Sequence, residues 1–125
     1  MKLEDIKFKA KRLDNGEWVK GDLVHSTSYV GISYPSDEFS DVPIVHRVDP
    51  STVCQFTGLK DEDENDIFEG DLLAEKRFPM YEVGYVNSEF AASYIGENTF
   101  IFKLPALSKG CVVCGSIYDR KEGEK

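Results

Sequence analysis

Two cysteines three positions apart, Cys111 and Cys114, are the residues of this chain whose spacing most suggests chemistry. Such a pair serves structural zinc sites and thiol–disulfide enzymes. Zinc requires four ligands, and the other thiol and imidazole candidates are Cys54, His25 and His46. The pair lies in a β-rich run, where positions three apart point to opposite faces, and not at a helix N-terminus. We therefore expect two buried core cysteines, with zinc binding as the lesser alternative.

Three side chains at alternate positions, Asp61, Asp63 and Asn65, match the first ligands of a calcium loop. That loop also needs glycine at its sixth position and a bidentate glutamate at its twelfth. Asp66 and Leu72 occupy those positions, so the pattern fails twice. We expect a solvated acidic hairpin turn here, with at most weak, adventitious cation binding.

Two carboxylates, Glu69 and Asp71, flank Gly70 and share one face if this segment is a strand. Paired carboxylates can perform acid–base chemistry or bind a metal ion. A turn at the glycine, with Asp71 accepting hydrogen bonds from nearby backbone N–H groups, is the structural interpretation that we favour.

The imidazoles of His25 and His46 lie near serines and aspartates in the sequence, but no nucleophile elbow surrounds them. The neighbouring residues that a Ser-His-Asp set would use are Ser26, Ser28, Asp22 and Asp49. No phosphate-binding loop or dinucleotide fingerprint is present either. The sequence therefore assigns no catalytic, cofactor-binding or metal-binding residue. We expect a protein that is not an enzyme, with a small histidine-dependent hydrolase as the least favoured alternative.

The composition predicts one globular domain of 125 residues with a net charge of −8. Because nucleic-acid binders neutralise phosphates with basic side chains, this acidic balance disfavours nucleic acid as a partner. A local basic patch keeps that alternative open, and it consists of Lys7, Lys9, Lys11, Arg12 and Lys20. An odd number of cysteines and the lack of an apolar membrane span predict a cytoplasmic protein that does not bind membranes.

Short β-rich runs separated by turn residues predict a mainly β fold. Residues 8–25 read as an N-terminal hairpin around a type I′ turn at Asn15 and Gly16, with a bend at Gly21. Residues 26–45 read as a long loop region with one strand, and Asp49 and Pro50 can start a helical turn. Residues 67–119 read as five antiparallel strands of a small SH3-like or related barrel, with Pro79 in a turn. Residues 120–125 read as a charged tail.

Four stretches in the same order resemble the YopX-like family of proteins from phages and prophages of Gram-positive bacteria. They are residues 7–10 with 18–23, residues 48–53, residues 55–61 with 67–72, and residues 115–118. The resemblance implies a β-rich domain, a phage or prophage origin and a tendency to self-associate. It implies no activity, so it carries over no catalytic residue. One departure is the turn at residues 63–66, where the family usually has an Asn-Gly type turn and where we expect Asn65 to adopt positive φ.

The aromatic supply is generous for one small domain, since the chain contains Trp18 and six tyrosines. If two or three of these rings share an exposed face, they provide an anchor for a protein partner or a stacking platform for single-stranded nucleic acid. The acidic charge favours protein. We therefore predict a small phage or prophage protein that binds a phage or host protein, or assembles with its own copies. A nucleic-acid-associated accessory protein is the first alternative.

Overall fold

A computed structural model describes residues 2–37, 41–76, 78–97 and 99–119 of the chain. Its secondary structure is 55% strand and 12% helical. The prediction of a mainly β fold is confirmed. The sequence shows no linker and predicts one domain, and the structure divides into two compact units, Met1–Phe56 and Thr57–Lys125.

The first unit is built from antiparallel strands in the order β4-β3-β2-β1-β5. Their bounds are β1 Phe8–Lys11, β2 Trp18–His25, β3 Val30–Pro35, β4 Pro43–Arg47 and the start of β5 Cys54–Lys60, with short 3-10 turns at Leu3–Asp5 and Pro50–Thr52. A bridge between Arg12 and Val48 joins the end of β1 to the chain that leaves β4. The core between these strands is formed by Ala10, Val19, Ile32 and Val48.

The N-terminal hairpin is confirmed, because β1 pairs with β2 from Phe8 opposite Gly21 to Lys11 opposite Trp18. The type I′ turn is wrong. Gly16 has a φ of +73°, but Asn15 is not among the residues with positive φ. The amide of Gly16 donates instead to the carbonyl of Arg12, which makes a longer loop of four residues.

The bend predicted at Gly21 falls where β2 changes partner from β1 to β3. A Cβ atom at this residue would lie 2.2 Å from the carbonyl oxygen of Ser33, so only glycine permits the close approach. The predicted helical turn is also confirmed, since Asp49 accepts a hydrogen bond from the amide of Ser51 at the start of Pro50–Thr52.

The region of residues 26–45 contains more regular structure than the sequence pattern suggests. It includes β3, close to the strand predicted there, and the first residues of β4, which pairs with β3 from Arg47 opposite Gly31 to Pro43 opposite Pro35. Because of Pro35 and Pro43, the sequence pattern did not predict the second strand, β4, yet proline is tolerated at a strand end. Residues 38–40 of this region lie outside the described residues.

The second unit contains a hairpin and a five-stranded antiparallel sheet in the order β10-β9-β8-β7-β11. The elements after β5 are β6 Asp66–Phe68, β7 Asp71–Glu75, β8 Phe78–Val86, β9 Glu89–Tyr94, β10 Phe102–Lys103, α1 Leu104–Ser108, β11 Val112–Ser116 and a 3-10 turn at Ile117–Asp119. The sheet order ends at β10 and β11, so the barrel portion predicted for residues 67–119 is an open sheet in the described part of the chain.

Two details of that portion were predicted wrongly. Pro79 lies within β8, opposite Ala74, and not in a turn. The fourth of the five strands predicted for residues 67–119, in which Phe100, Phe102 and Leu104 alternate, is reduced to Phe102–Lys103. A helix follows, because Pro105 stands in the first helical turn, where its missing N–H would have no partner in any case. The predicted charged tail at residues 120–125 lies outside the described residues.

Candidate protein-binding surface

The three cysteines occupy separate environments. Cys54 and Cys111 are buried, whereas Cys114 is exposed, so the expectation of two buried cysteines at this spacing is wrong for Cys114. A register shift between Val113 and Gly115 explains the difference, because the irregularity turns Cys114 out of the ladder. Removal of the thiol from water is the main cause that raises the pKa of Cys111 and, although that residue as a whole is exposed, the pKa of Cys114, which favours the unreactive thiol over the thiolate.

The carboxylate of Asp61 organises the acidic turn from the inside. Its Oδ1 accepts hydrogen bonds from the amides of Asp63 at 2.8 Å and Asn65 at 2.9 Å. Its Oδ2 accepts from the amide of Val113 at 2.8 Å. Burial raises the pKa of Asp61, but these hydrogen bonds outweigh burial, and the net shift is downward. The turn is therefore not simply solvated, and its positive φ falls on Glu64 instead of Asn65.

The Glu69-Gly70-Asp71 segment is the turn that we favoured over a carboxylate pair. Gly70 has a φ of +84°, and the buried Asp71 accepts a hydrogen bond of 2.8 Å from the amide of Phe68. Across the described ranges, no group of three His, Cys, Asp or Glu side chains is placed to hold a metal ion.

His46 and the neighbouring hydroxyl groups have other partners. His46 Nε2 lies 3.0 Å from the hydroxyl of Tyr34. Asp49 accepts from Ser51, and the two candidate nucleophiles Ser26 and Ser28 lie 3.4 Å apart, oxygen to oxygen. His25 is exposed near the end of β2. These contacts build turns and strand ends, and they do not bring a serine, a histidine and an aspartate together.

Three of the basic residues in and beside β1 lie against aromatic rings. Lys9 and Lys11 stand over the Trp18 ring at 4.6 and 5.4 Å, and Lys7 stands over Phe56 at 4.5 Å. Lys9 is only 9% exposed. Arg12 donates to both carboxylate oxygens of Asp14, at 2.9 and 2.6 Å. Arg12 is therefore paired with a carboxylate, and the ring contacts restrict how freely the ammonium groups of Lys7, Lys9 and Lys11 can reach a phosphate backbone.

Aromatic rings cluster at one end of the second sheet, from the buried Tyr81 to the exposed Tyr94. Tyr81, Tyr94 and Phe102 form a cluster whose ring centroids lie 5.1–5.6 Å apart. Cross-strand pairing explains this arrangement, since Tyr81 stands opposite Tyr94 and Phe102 stands opposite Ala92. Tyr81 and Phe102 belong to the hydrophobic cluster that also contains the buried Leu73 and Leu104.

Large apolar side chains are left exposed at the same end of β8 and β9. Phe78 is 72% exposed, Met80 38%, Tyr94 41% and Ile95 43%. The amide of Ile95 donates to the carbonyl of Met80, which places these two residues side by side. We call this group of four residues the β8–β9 apolar surface. Exposed apolar side chains brought to one end of a sheet mark interaction sites more often than scattered ones do.

The sequence model of one protein family, described as YopX protein, matches residues 7–122 of the chain. The chain belongs to the YopX family. A search of curated proteins gave no match. The resemblance that the four sequence stretches suggested is thereby confirmed over nearly the whole chain.

In this YopX protein, sequence reasoning missed the β8–β9 apolar surface. It placed Pro79 in a turn, so Phe78 and Met80 received no position on a sheet. The signal that could have found them is the run Phe78-Pro79-Met80-Tyr81, which is too apolar for an exposed turn. Within the described residues, the YopX chain has no helix of the length and apolar character that a membrane crossing requires.

Proposed function

We propose that this YopX protein is of phage or prophage origin and acts in the bacterial cytoplasm by binding protein rather than by catalysis. The polar side chains that suggested chemistry support a role without catalysis, because Asp61, Asp71 and Asp49 bond to backbone amides and so build turns. The family assignment supports the origin but no activity.

The β8–β9 apolar surface is the observation that carries the proposal. Phe78 is 72% exposed, so burying its ring against a partner would be favourable by about 25 cal/mol for each Å² of apolar surface removed from water. Rigid aromatic side chains at the centre of a contact are the residues that contribute most to protein–protein affinity. A partner that covers Phe78 and Met80 would recover that free energy.

A second copy of the chain is the partner that we propose first, and a phage or host protein is the other. Nucleic acid is the less favoured partner, because the chain carries 23 acidic against 15 basic residues. The packing of Lys7, Lys9 and Lys11 on aromatic rings also disfavours nucleic acid as the partner.

Sedimentation velocity over a wide range of protein concentration tests self-association. The wild-type chain should form species larger than 14.1 kDa, and the double substitution Phe78→Ser with Met80→Ser should abolish them. Leu3→Ser is the matched control, because Leu3 is also apolar and exposed but lies in the first unit. A wild-type protein that stays at 14.1 kDa at every concentration would exclude self-association.

A pull-down from phage-infected cell lysate then tests the second partner. The wild-type chain should capture a stoichiometric protein that the double variant does not capture, while Leu3→Ser captures it normally. Equal capture by all three chains would show that the β8–β9 apolar surface is not the contact. Recovery of nucleic acid in place of protein would overturn the proposed partner class.

A further inference from the structure

A surface depression of about 400 Å³ lies in the first unit, outside the β8–β9 apolar surface. It is lined by Leu13, Asp14, Val45, His46 and Arg47. Leu13 is 64% exposed and Val45 43%, so two apolar side chains stand at the surface beside a guanidinium group. The volume is within the range of pockets that hold small ligands or short peptide ends.

The guanidinium group of Arg47 is oriented by an aromatic ring and, among the described residues, keeps its positive charge unpaired by a carboxylate. Its guanidinium carbon lies 4.9 Å from the centre of the Tyr29 ring, which orients the planar group. In residues 2–37, 41–76, 78–97 and 99–119, no carboxylate lies within ion-pairing distance of Arg47. The neighbouring Asp14 is bound by Arg12 through two hydrogen bonds, the main cause that lowers its pKa. The depression therefore has an excess of positive charge in an acidic protein.

The backbone of β4 adds hydrogen-bonding groups along one edge. The carbonyl of Arg47 accepts from the amide of Leu13, so the backbone groups of Arg47 point away from β3. Because these groups alternate along a strand, the N–H and carbonyl of Val45 point to the same edge. Pro43 has no N–H to offer two residues earlier, which limits this edge to a short segment and disfavours a long added strand.

From this arrangement we infer that the depression binds the C-terminal end of a partner polypeptide whose last residue is apolar. The terminal carboxylate pairs with Arg47, the last side chain packs between Leu13 and Val45, and the preceding backbone bonds to Val45. Arginine is suited to this role, since its planar fork of donors matches the two oxygens of a carboxylate. An extended peptide added to a strand edge is an established mode of recognition.

Fluorescence anisotropy with two labelled hexapeptides tests the inference. Both end in leucine, and one has a free C-terminal carboxylate while the other has a C-terminal amide. The free-acid peptide should bind the unmodified protein at least about tenfold more tightly than the amide, since a charge-assisted pair is worth more than a factor of ten. Amide chemical shifts of Leu13 and Val45 should move on titration with the free acid.

The substitution Arg47→Gln should weaken binding of the free-acid peptide by a similar factor and leave the amide peptide unaffected. Lys109→Gln is the control, because it removes one exposed positive charge from the second unit. Equal affinity of the two peptides would overturn the inference, as would binding of neither below about 1 mM, the weak end of specific recognition. The depression shares no residue with the β8–β9 apolar surface, so failure here and failure of the proposed function are separate results.

Discussion

At the scale of single residues, buried polar groups shape the turns of this protein. Asp61 satisfies three backbone amides that belong to two different segments, residues 63–65 and β11. At the next turn, the carboxylate of Asp71 accepts a hydrogen bond from the amide of Phe68. A carboxylate that bonds several backbone amides fixes a loop more firmly than a neutral side chain does, because these hydrogen bonds are charge-assisted.

We therefore expect Asp61→Asn to lower the free energy of unfolding by about 2 kcal/mol at pH 7, since one amide donor would then face an NH₂ group. The folded-state pKa of Asp61 is lowered, so its contribution is present above the unfolded pKa near 4 and is lost as pH falls through the folded value. Urea unfolding at pH 7 and pH 3 measures this. The difference in unfolding free energy between wild type and variant should be smaller at pH 3 than at pH 7. A difference that does not change with pH would contradict the role given to the Asp61 carboxylate.

A second residue-scale prediction concerns Gly84 in β8, which lies under the ring of Phe100. A Cβ atom at Gly84 would stand 2.4 Å from the Cε1 atom of Phe100, so the ring must move. Gly84→Ala should therefore cost about 1–3 kcal/mol of unfolding free energy, as overpacking does.

The double-mutant cycle with Phe100→Ala identifies the cause. In the Phe100→Ala background, Gly84→Ala should be nearly neutral or stabilising, because alanine suits a strand better than glycine once the ring is gone. Additive effects of the two substitutions would show that the clash is not what makes Gly84 necessary.

At the scale of elements, local turn chemistry was readable in the sequence and tertiary pairing was not. The hairpin of β1 and β2, the cap at Asp49 and the turn at Gly70 depend on neighbouring residues, and all three were predicted. The partner change at Gly21, the helix after Lys103 and the strand position of Pro79 depend on residues far along the chain. Sequence periodicity carries no information about those partners.

The 3-10 turn Pro50–Thr52 is an element whose connection to the sheet can be tested. The hydroxyl of Thr52 accepts from the amide of Lys11 at 2.9 Å and donates to the carbonyl of Asp49 at 2.7 Å. Thr52→Val keeps the shape but leaves that amide without its acceptor, so we expect a loss of about 1–2 kcal/mol in urea unfolding.

Ser51→Ala is the control for this element, since the hydroxyl of Ser51 makes an exposed hydrogen bond of 2.8 Å to the side chain of Asp49. Its effect should stay within about 0.5 kcal/mol. Hydrogen exchange at the Lys11 amide should accelerate in Thr52→Val and not in Ser51→Ala. Equal protection in both variants would place the stabilising contact elsewhere.

At the scale of the whole molecule, the composition predicted the class of protein, whereas the positions of the exposed apolar side chains became known only from the structure. Charge and length indicated an acidic globular chain, and the family assignment agrees with the β-rich fold. The apolar groups left outside a core depend on which strand pairs with which, so the sequence placed neither Phe78 nor Leu13 at the surface, although the apolar run at residues 78–81 argues against an exposed turn there. The depression beside Arg47 was invisible for the same reason, because its lining comes from residues 13–14 and 45–47.

Net charge also decides how self-association should respond to salt. Two chains of charge −8 repel each other, whereas the proposed contact through Phe78 and Met80 is apolar and gains nothing from opposite charges. Raising sodium chloride from about 0.1 M to about 1 M shortens the Debye length from about 10 Å to about 3 Å and screens that repulsion. The dimer dissociation constant measured by sedimentation should therefore fall several-fold in wild type. A constant that rises with salt would instead indicate a contact between opposite charges, such as Arg47 with an acidic residue of the second copy, and would move the interface away from the β8–β9 apolar surface.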